Sequence, residues 1–542
     1  MSDAYNDKTG GPLEGEPPVP HPIPREEEKG ASPEIDNTRR GEDRQDESGR
    51  LAEEVAAELF LKPVAVFASE NEGNDRLLAE VGRNDSGNAR RLVSRYGDRI
   101  RYVPAWSTWL FWDRMRWRED DHNYVRSLAR ATAHLIWDEC EAMRKEGVDH
   151  DEIRKHVAWW NTSQSAGRID AMLKLAASDP MVVVTPEQLD QRSGELNVLN
   201  GTLDLETGRL KPHTQADLWT KVSLTAYRGD EPCGPECEWE SFLATVMPDS
   251  EVRAFVQRYS AYASSGYSDL KTAVFLHGNA DTGKTTFVET MRGVLGSDYT
   301  VEVARTLLVA TRSDRHETEI VDLHGKRLAT VSELESGKRF DVAKFKTYTG
   351  GDLMAGRRLY QNRFSWKPTH AFILTGNRKP EVRGSDDAFW RRMRLVRFDQ
   401  VIPRDGQRVN LAEALAEEHG PCVLAWLVRG MRDLDARGLA EPQAVVVATE
   451  DYRHEEDHVA AFLEETVTQA DGSYVGRVEL HQRYESWCMT SGVRRDETFS
   501  MKDFNQELEA RGWVKAKPML PDGRRVWSWR AMAYVAPEGV RL

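Results

Sequence analysis

TAVFLHGNADTGKTTFVETMRGVL, residues 272–295, decides how the middle of this chain folds. TAVFLH is a short apolar run that reads as a buried strand, and TFVETMRGVL carries apolar residues at helical spacing. Between them GNADTGKT, Gly278 to Thr285, fits the phosphate-loop pattern GxxxxGK[ST] in the required strand–loop–helix context. Glycines at 278 and 283 let the backbone curl so that its N–H groups and the helix amino terminus point at phosphates, while Lys284 reaches the outer phosphates and the Thr285 hydroxyl holds Mg²⁺. The nucleotide-binding set is therefore Gly278, Asn279, Ala280, Asp281, Thr282, Gly283, Lys284, Thr285 and Thr286, with ATP and Mg²⁺ as cofactors.

A nucleotide hydrolase of this kind needs an acid at the end of a neighbouring strand, and KRLATVSELE, 326–335, supplies Glu333 as first choice and Glu335 as second. Glu333 would share the metal with Thr285. HAFILTGN, 370–377, is an apolar strand ending in Asn377, placed to orient the attacking water. FWRRMRLVRF, 389–398, offers Arg391 and Arg392 to stabilise transition-state charge from across a subunit interface. Each residue alone has an ordinary alternative: a surface carboxylate, a turn-forming amide, a solvated arginine. Their order after the phosphate loop is more specific than any member.

With KTYTGGDLMAGRRLY at 346–360, carrying Lys346, Thr349, Gly350, Asp352, Arg357 and Tyr360, and with GNRKPEVRGSDDAFWRRMRLVRF at 376–398, the region resembles a superfamily 3 helicase. More narrowly it is similar to the helicase portion of phage- and plasmid-type primases and of poxvirus primase-helicases. The resemblance implies an α/β, AAA+-like P-loop core that assembles as a homo-hexameric ring, translocates 3′-to-5′ on single-stranded DNA and opens forked duplex. It also implies that the strands RRLYQNRFSW and THAFILTG form a hairpin into the channel, with Lys346, Arg357, Arg358, Asn362 and Arg363 near the DNA backbone.

Outward from the motor, expected at 231–435, residues 1–50 are polar, Pro-rich and acidic and read as a disordered tail. Residues 51–230 read as an α-rich adaptor domain. It begins with the helical pattern AEEVAAELFL, carries the Trp-rich block YVPAWSTWLFWDRMRW as core, and ends in a hairpin turning at Thr207-Gly208. Residues 455–542 give three helices followed by two strands, the order of a winged helix. Lys502, Arg524 and Arg525 are its candidate DNA contacts, and Glu507 and Glu509 weigh toward a packing role instead.

The formal charge of −15 excludes a protein that coats nucleic acid over its whole surface and leaves room for a local basic channel. No apolar run is long enough to span a bilayer, so the chain reads as cytoplasmic, in a bacterial host if phage or plasmid encoded. The five cysteines read as free thiols: Cys233 and Cys237 form a CxxxC pair with His213 upstream, but four ligands at zinc spacing are not visible. The residues before the adaptor read as a tail and not as a primase domain, so the expectation is that this polypeptide makes no primer and that a separate primase or a host enzyme serves. Two other readings stay open: an ATPase that loads or remodels a replication complex, and an origin-binding scaffold that uses ATP for assembly.

Overall fold

The computed structural model describes residues 72–229, 237–309, 320–332, 340–357, 363–382, 387–403, 407–495, 498–519 and 523–535. The expected tail and the AEEVAAELFL helix lie outside them.

The first layer is mostly helical: α1 (Glu72–Ala79), α2 (Asp85–Tyr96), α3 (Tyr124–Lys145), α4 (His150–Ser163) and α5 (Ala166–Ala176), with an antiparallel sheet of β1 (Ile100–Val103), β2 (Thr108–Trp112) and β3 (Trp117–Glu119) between α2 and α3. The Trp-rich block builds that sheet. Trp117 is fully buried, and Trp106 and Trp112 pack with Val103 and Leu110, as expected for core aromatics. Glu139 is buried on α3, where it accepts from Arg91 Nε at 2.9 and 3.0 Å and meets His156 Nε2 at 3.0 Å. A carboxylate survives such burial only when its charge is paired and hydrogen-bonded.

Three short strands follow, β4 (Glu195–Val198), β5 (Gly201–Asp204) and β6 (Leu210–Lys211). Thr207 and Gly208 lie in the β5–β6 turn, where the Asp204 carboxylate accepts from the Glu206 and Thr207 amides and Gly208 takes a φ of 70°. Leu196, Val198, Leu203 and Leu205 join the same core as the helices after residue 237. This small sheet thus packs on the motor, although its sequence position groups it with the helices before it.

The central body comprises α6 (Glu238–Val246), α7 (Ser250–Ser265), β7 (Ala273–His277), α8 (Lys284–Leu295), β8 (Thr300–Glu302), β9 (Leu328–Val331), α9 (Val342–Tyr348), β10 (Met354–Arg357), β11 (Arg363–Trp366), β12 (Ala371–Gly376), α10 (Asp387–Trp390), β13 (Met393–Arg397), α11 (Leu411–Arg437) and α12 (Gln443–Glu455). Five strands form one parallel sheet in the order β13-β7-β12-β9-β8. Strands β9 and β12 are buried along their whole length, as a parallel sheet covered on both faces requires.

Among the described residues, the expected pairing of RRLYQNRFSW with THAFILTG does not occur. β11 pairs antiparallel with β10, Met354 opposite Trp366 and Arg357 opposite Arg363, while β12 lies between β7 and β9. The burial patterns give the reason. β11 exposes Arg363 and Ser365 and buries Trp366, which suits a half-solvated hairpin, whereas the apolar run of β12 needs cover on both faces.

The last layer holds α13 (His458–Thr466), β14 (Val467–Gly476), α14 (Arg477–Thr490), α15 (Met501–Ala510), β15 (Lys515–Ala516) and β16 (Ser528–Tyr534), with an antiparallel sheet in the order β14-β16-β15. The three helices fall where the sequence places them; β14, between the first two, was not foreseen. Tyr484 and Phe504 stack at 4.4 Å to tie α14 to α15.

Candidate functional site

Parallel strands present their carboxyl ends at one edge, and ligands bind in the crevice there, at the point where the chain switches direction along the sheet. β7 is that point, with β12 on one side and β13 on the other. The loop 278–283 leaves its carboxyl end tightly held. The Gly278 amide donates to the Gly376 carbonyl at 3.4 Å, and a Cβ on Gly278 would stand 2.1 Å from the Phe398 carbonyl oxygen. Gly283 adopts a φ of 84°, and its Cβ would lie 2.5 Å from Val246 Cγ1 on α6. Neither position admits a side chain.

Lys284, nearly buried, opens α8 and donates to the Gly278 carbonyl at 2.9 Å, the Asn279 carbonyl at 2.6 Å and the Thr282 hydroxyl at 3.0 Å. Burial lowers its pKa, partly offset by Asp281, so an anion in the loop would find a cation short of negative partners. The first turn of α8 carries no acid, which leaves its amide-rich end to an anion. Thr285 is exposed at the same end. This donor set fits a nucleotide's phosphates. Thr285 is the described residue of the two assigned to Mg²⁺; Glu333 and Glu335 lie outside the described residues, although β9, which leads to them, ends at this edge.

Asn377 also stands at this edge, exposed one residue beyond Gly376, which is in register with His277. His277 itself, half-buried at the end of β7, has its pKa lowered by burial and by Lys379, Lys284 and Arg397, so it is neutral at pH 7. Arg397, exposed at the carboxyl end of β13, is a cation beside the loop absent from the sequence-based set; its place directly after the apolar pair Leu395-Val396, at the strand's end, is the available signal.

Arg391 and Arg392 are not brought to this edge. They precede β13, whose Met393 is in register with Ala273 and whose Arg397 is in register with His277. Five strand residues, about 16 Å, separate them from their own phosphate loop. Within the chain Arg391 Nε donates to the Asp387 carbonyl at 3.2 Å and Arg392 Nη1 to the Ala388 carbonyl at 2.8 Å.

A second basic feature is the β10–β11 hairpin, where exposed Arg357 and Arg363 are directly opposite one another. Like charges directly opposite one another on a strand pair are destabilising. Lys346 sits on α9; Arg358, Tyr360 and Asn362 lie outside the described residues. A cleft of about 1820 Å³ opens beside the hairpin, and Trp106, Arg118, Lys221, Lys326, Arg363 and Lys367 are among its lining residues. Only folding assembles residues so far apart in sequence.

In the last layer Lys502, Arg524 and Arg525 are exposed, yet α15 also exposes Asp503 and Glu509. Glu507 is paired with Arg511 and Glu509 with Lys515, so those acids serve the layer's own ion pairs. Among the described residues no helix is long and apolar enough to cross a membrane.

Comparison with known proteins agrees with the resemblance read from the sequence. Residues 89–248 match a family described as D5 N terminal like, residues 276–392 a family of unknown function (DUF5906), and residues 454–519 the poxvirus D5 protein-like family. The chain is 24% identical over 322 residues to "Putative helicase L207/L206" of Acanthamoeba polyphaga mimivirus, a match covering 55% of this chain and 33% of that protein. It is 26% identical over 275 residues to "Putative helicase 022R" of Frog virus 3, covering 47% and 28%. With "Uncoating factor OPG117" of Vaccinia virus it shares 25% over 230 residues, covering 40% and 29%. The matches thus span a third or less of the length of these curated relatives. Among solved structures, the apo C-terminal region of NrS-1 aligns at 10% identity and a TM-score of 0.35 over 60% of this chain and 87% of that one. The chain resembles the helicase portion of primase-helicases of the superfamily 3, poxvirus D5 type.

Proposed function

We propose that this chain is the ATP- and Mg²⁺-dependent motor of a replicative DNA helicase from a mobile genetic element, with an AAA+-like core and a carboxy-terminal winged helix, acting as a homo-hexameric ring. The observation that carries the reading is the placement of Arg392 at the sheet end opposite its own Lys284. An arginine that cannot reach its own nucleotide is useful when it completes a neighbour's, and closed rings arise from such head-to-tail interfaces.

In this reading Lys284 and the α8 amides hold the β- and γ-phosphates, and Thr285 with Glu333 holds Mg²⁺, which neutralises phosphate charge. Glu333 or Glu335 takes the proton from the attacking water, Asn377 orients that water, and Arg392 or Arg391 of the adjacent subunit meets the charge spreading over the γ-phosphoryl oxygens. Arg357 and Arg363, with Lys346, Arg358 and Asn362, grip single-stranded DNA as the ring moves 3′-to-5′ toward a fork, and Lys502, Arg524 and Arg525 contact duplex. A separate primase or polymerase would be the partner enzyme.

The test is ATP hydrolysis with and without single-stranded DNA, beside unwinding of a 3′-tailed fork, for wild type, Lys284→Ala and Arg392→Ala. DNA-stimulated hydrolysis and unwinding, both lost in each variant, are expected. Hydrolysis indifferent to DNA, with no unwinding, would replace this reading with that of a loader or remodelling ATPase.

A further inference from the structure

Cys237, His419 and Cys422 come together with their donor atoms all within 4.8 Å of one another. Cys237 is the buried N-cap of α6, while His419 and Cys422 are spaced i, i+3 on α11 and so share one face of that helix. His213, the upstream partner considered from sequence, is elsewhere, against the Asn197 side chain at 3.0 Å and the Leu199 carbonyl at 3.3 Å. Cys140, Cys237 and Cys488 are free thiols as expected, whereas Cys422 is disulfide-bonded, against the expectation of five free thiols. A disulfide engages two sulfurs. It gives no account of why a further thiol and an imidazole converge on the same point.

We propose that, with Cys422 reduced, these residues form a structural zinc site. Two thiolates and a neutral imidazole suit zinc, with Zn–S near about 2.3 Å and Zn–N near about 2.0 Å, which puts donors about 3.5–3.8 Å apart around a tetrahedron. The observed cluster needs only a small contraction to reach that. An external thiol reductant, itself oxidised to its disulfide, first opens the Cys422 disulfide; zinc binding then displaces the two thiol protons to solvent and changes no oxidation state. The Glu238 carboxylate lies 3.9 Å from His419 Nε2 and is held by Arg408 Nη1 at 2.7 Å, a placement suited to the second nitrogen of a metal-bound imidazole. The sequence holds one more cysteine, Cys233, four residues before Cys237 and outside the described residues. The proposal rests on the three described donors, and Cys233 is a separate arm of the test.

The site would pin the start of α6 to α11. Trp239, two residues beyond Cys237, stacks on Phe242 at 5.8 Å and Phe287 at 5.7 Å and meets Trp426 edge-on at 5.4 Å. Phe242 and Val246 on the same helix back Gly283 of the phosphate loop. The zinc would therefore hold the helix against which the nucleotide loop is braced.

The experiment is metal analysis of the untagged full chain, expressed with zinc and purified under reductant, with thiol titration on the same sample. One zinc per chain is expected, and cobalt substitution should give thiolate-to-cobalt charge transfer with tetrahedral d–d bands. Cys237→Ser and His419→Ala should lose the metal, Cys140→Ser and Cys488→Ser should keep it, and Glu238→Gln should weaken zinc binding about tenfold. Retention in Cys233→Ser would mean that a water completes the set; loss would mean that Cys233 does. Wild-type chain that carries no zinc under these conditions, or holds it equally after Cys237→Ser, overturns the proposal, and neither result depends on the ATPase assay.

Discussion

Arg392 and Lys284 stand at opposite ends of two adjacent parallel strands, since Met393 is in register with Ala273 and Arg397 with His277. If Arg392 serves a neighbour, two inactive variants should complement. Lys284→Ala and Arg392→Ala should each abolish hydrolysis alone, and mixed rings should regain it at the roughly one quarter of interfaces that pair an intact lysine with an intact arginine. Steady-state hydrolysis of a titrated mixture measures this. A mixture no more active than either variant would show that both residues act within one subunit.

The facing pair Arg357 and Arg363 predicts a salt-dependent effect. Each phosphate contact contributes about −0.7 to the slope of log K against log salt on single strands, so Arg357→Ala with Arg363→Ala should flatten the slope by about 1.4. Fluorescence anisotropy with a labelled oligonucleotide across a salt series reads it. Basal hydrolysis without DNA should be unchanged, because the pair lies on a hairpin outside the nucleotide edge.

Gly283 predicts a steric lesion. Its φ of 84° costs an alanine about 1–2 kcal/mol, and the Cβ would stand 2.5 Å from Val246 Cγ1. Gly283→Ala should lower Tm and abolish nucleotide binding. Adding Val246→Ala should recover part of the Tm, because it removes the overlap while the backbone strain remains. A calorimetric scan of the single and double variants, with and without nucleotide, separates the two terms.

Glu139 predicts a pH dependence. Burial raises its pKa, but the hydrogen bonds from His156 and Arg91 outweigh burial and hold it below the usual 4.5. A depressed carboxylate contributes stability that is fully present above its unfolded pKa and is lost as pH falls through the folded one. Glu139→Ala should cost about 3–5 kcal/mol at pH 7, since it strands the buried Arg91. The gap from wild type should narrow below pH 4.5, and denaturant titrations at several pH values follow it.

The sequence by itself determined the local chemistry. GNADTGKT lies between a strand and a helix in the folded chain, the apolar runs LATV and AFILTG are buried strands, and the three carboxy-terminal helices form as read. Those signals survive because hydrophobic periodicity and glycine geometry act over neighbouring residues. Tertiary structure alone decided which strands pair, how far Arg392 stands from Lys284, and that Cys237 meets His419 and Cys422 across almost two hundred residues. Strand pairing and side-chain convergence depend on which faces the whole body buries. Chain spacing sets only Cys233 and His213 near Cys237 in sequence, whereas its partners in space are set by α6 packing on α11, a contact made by Trp239 and Trp426.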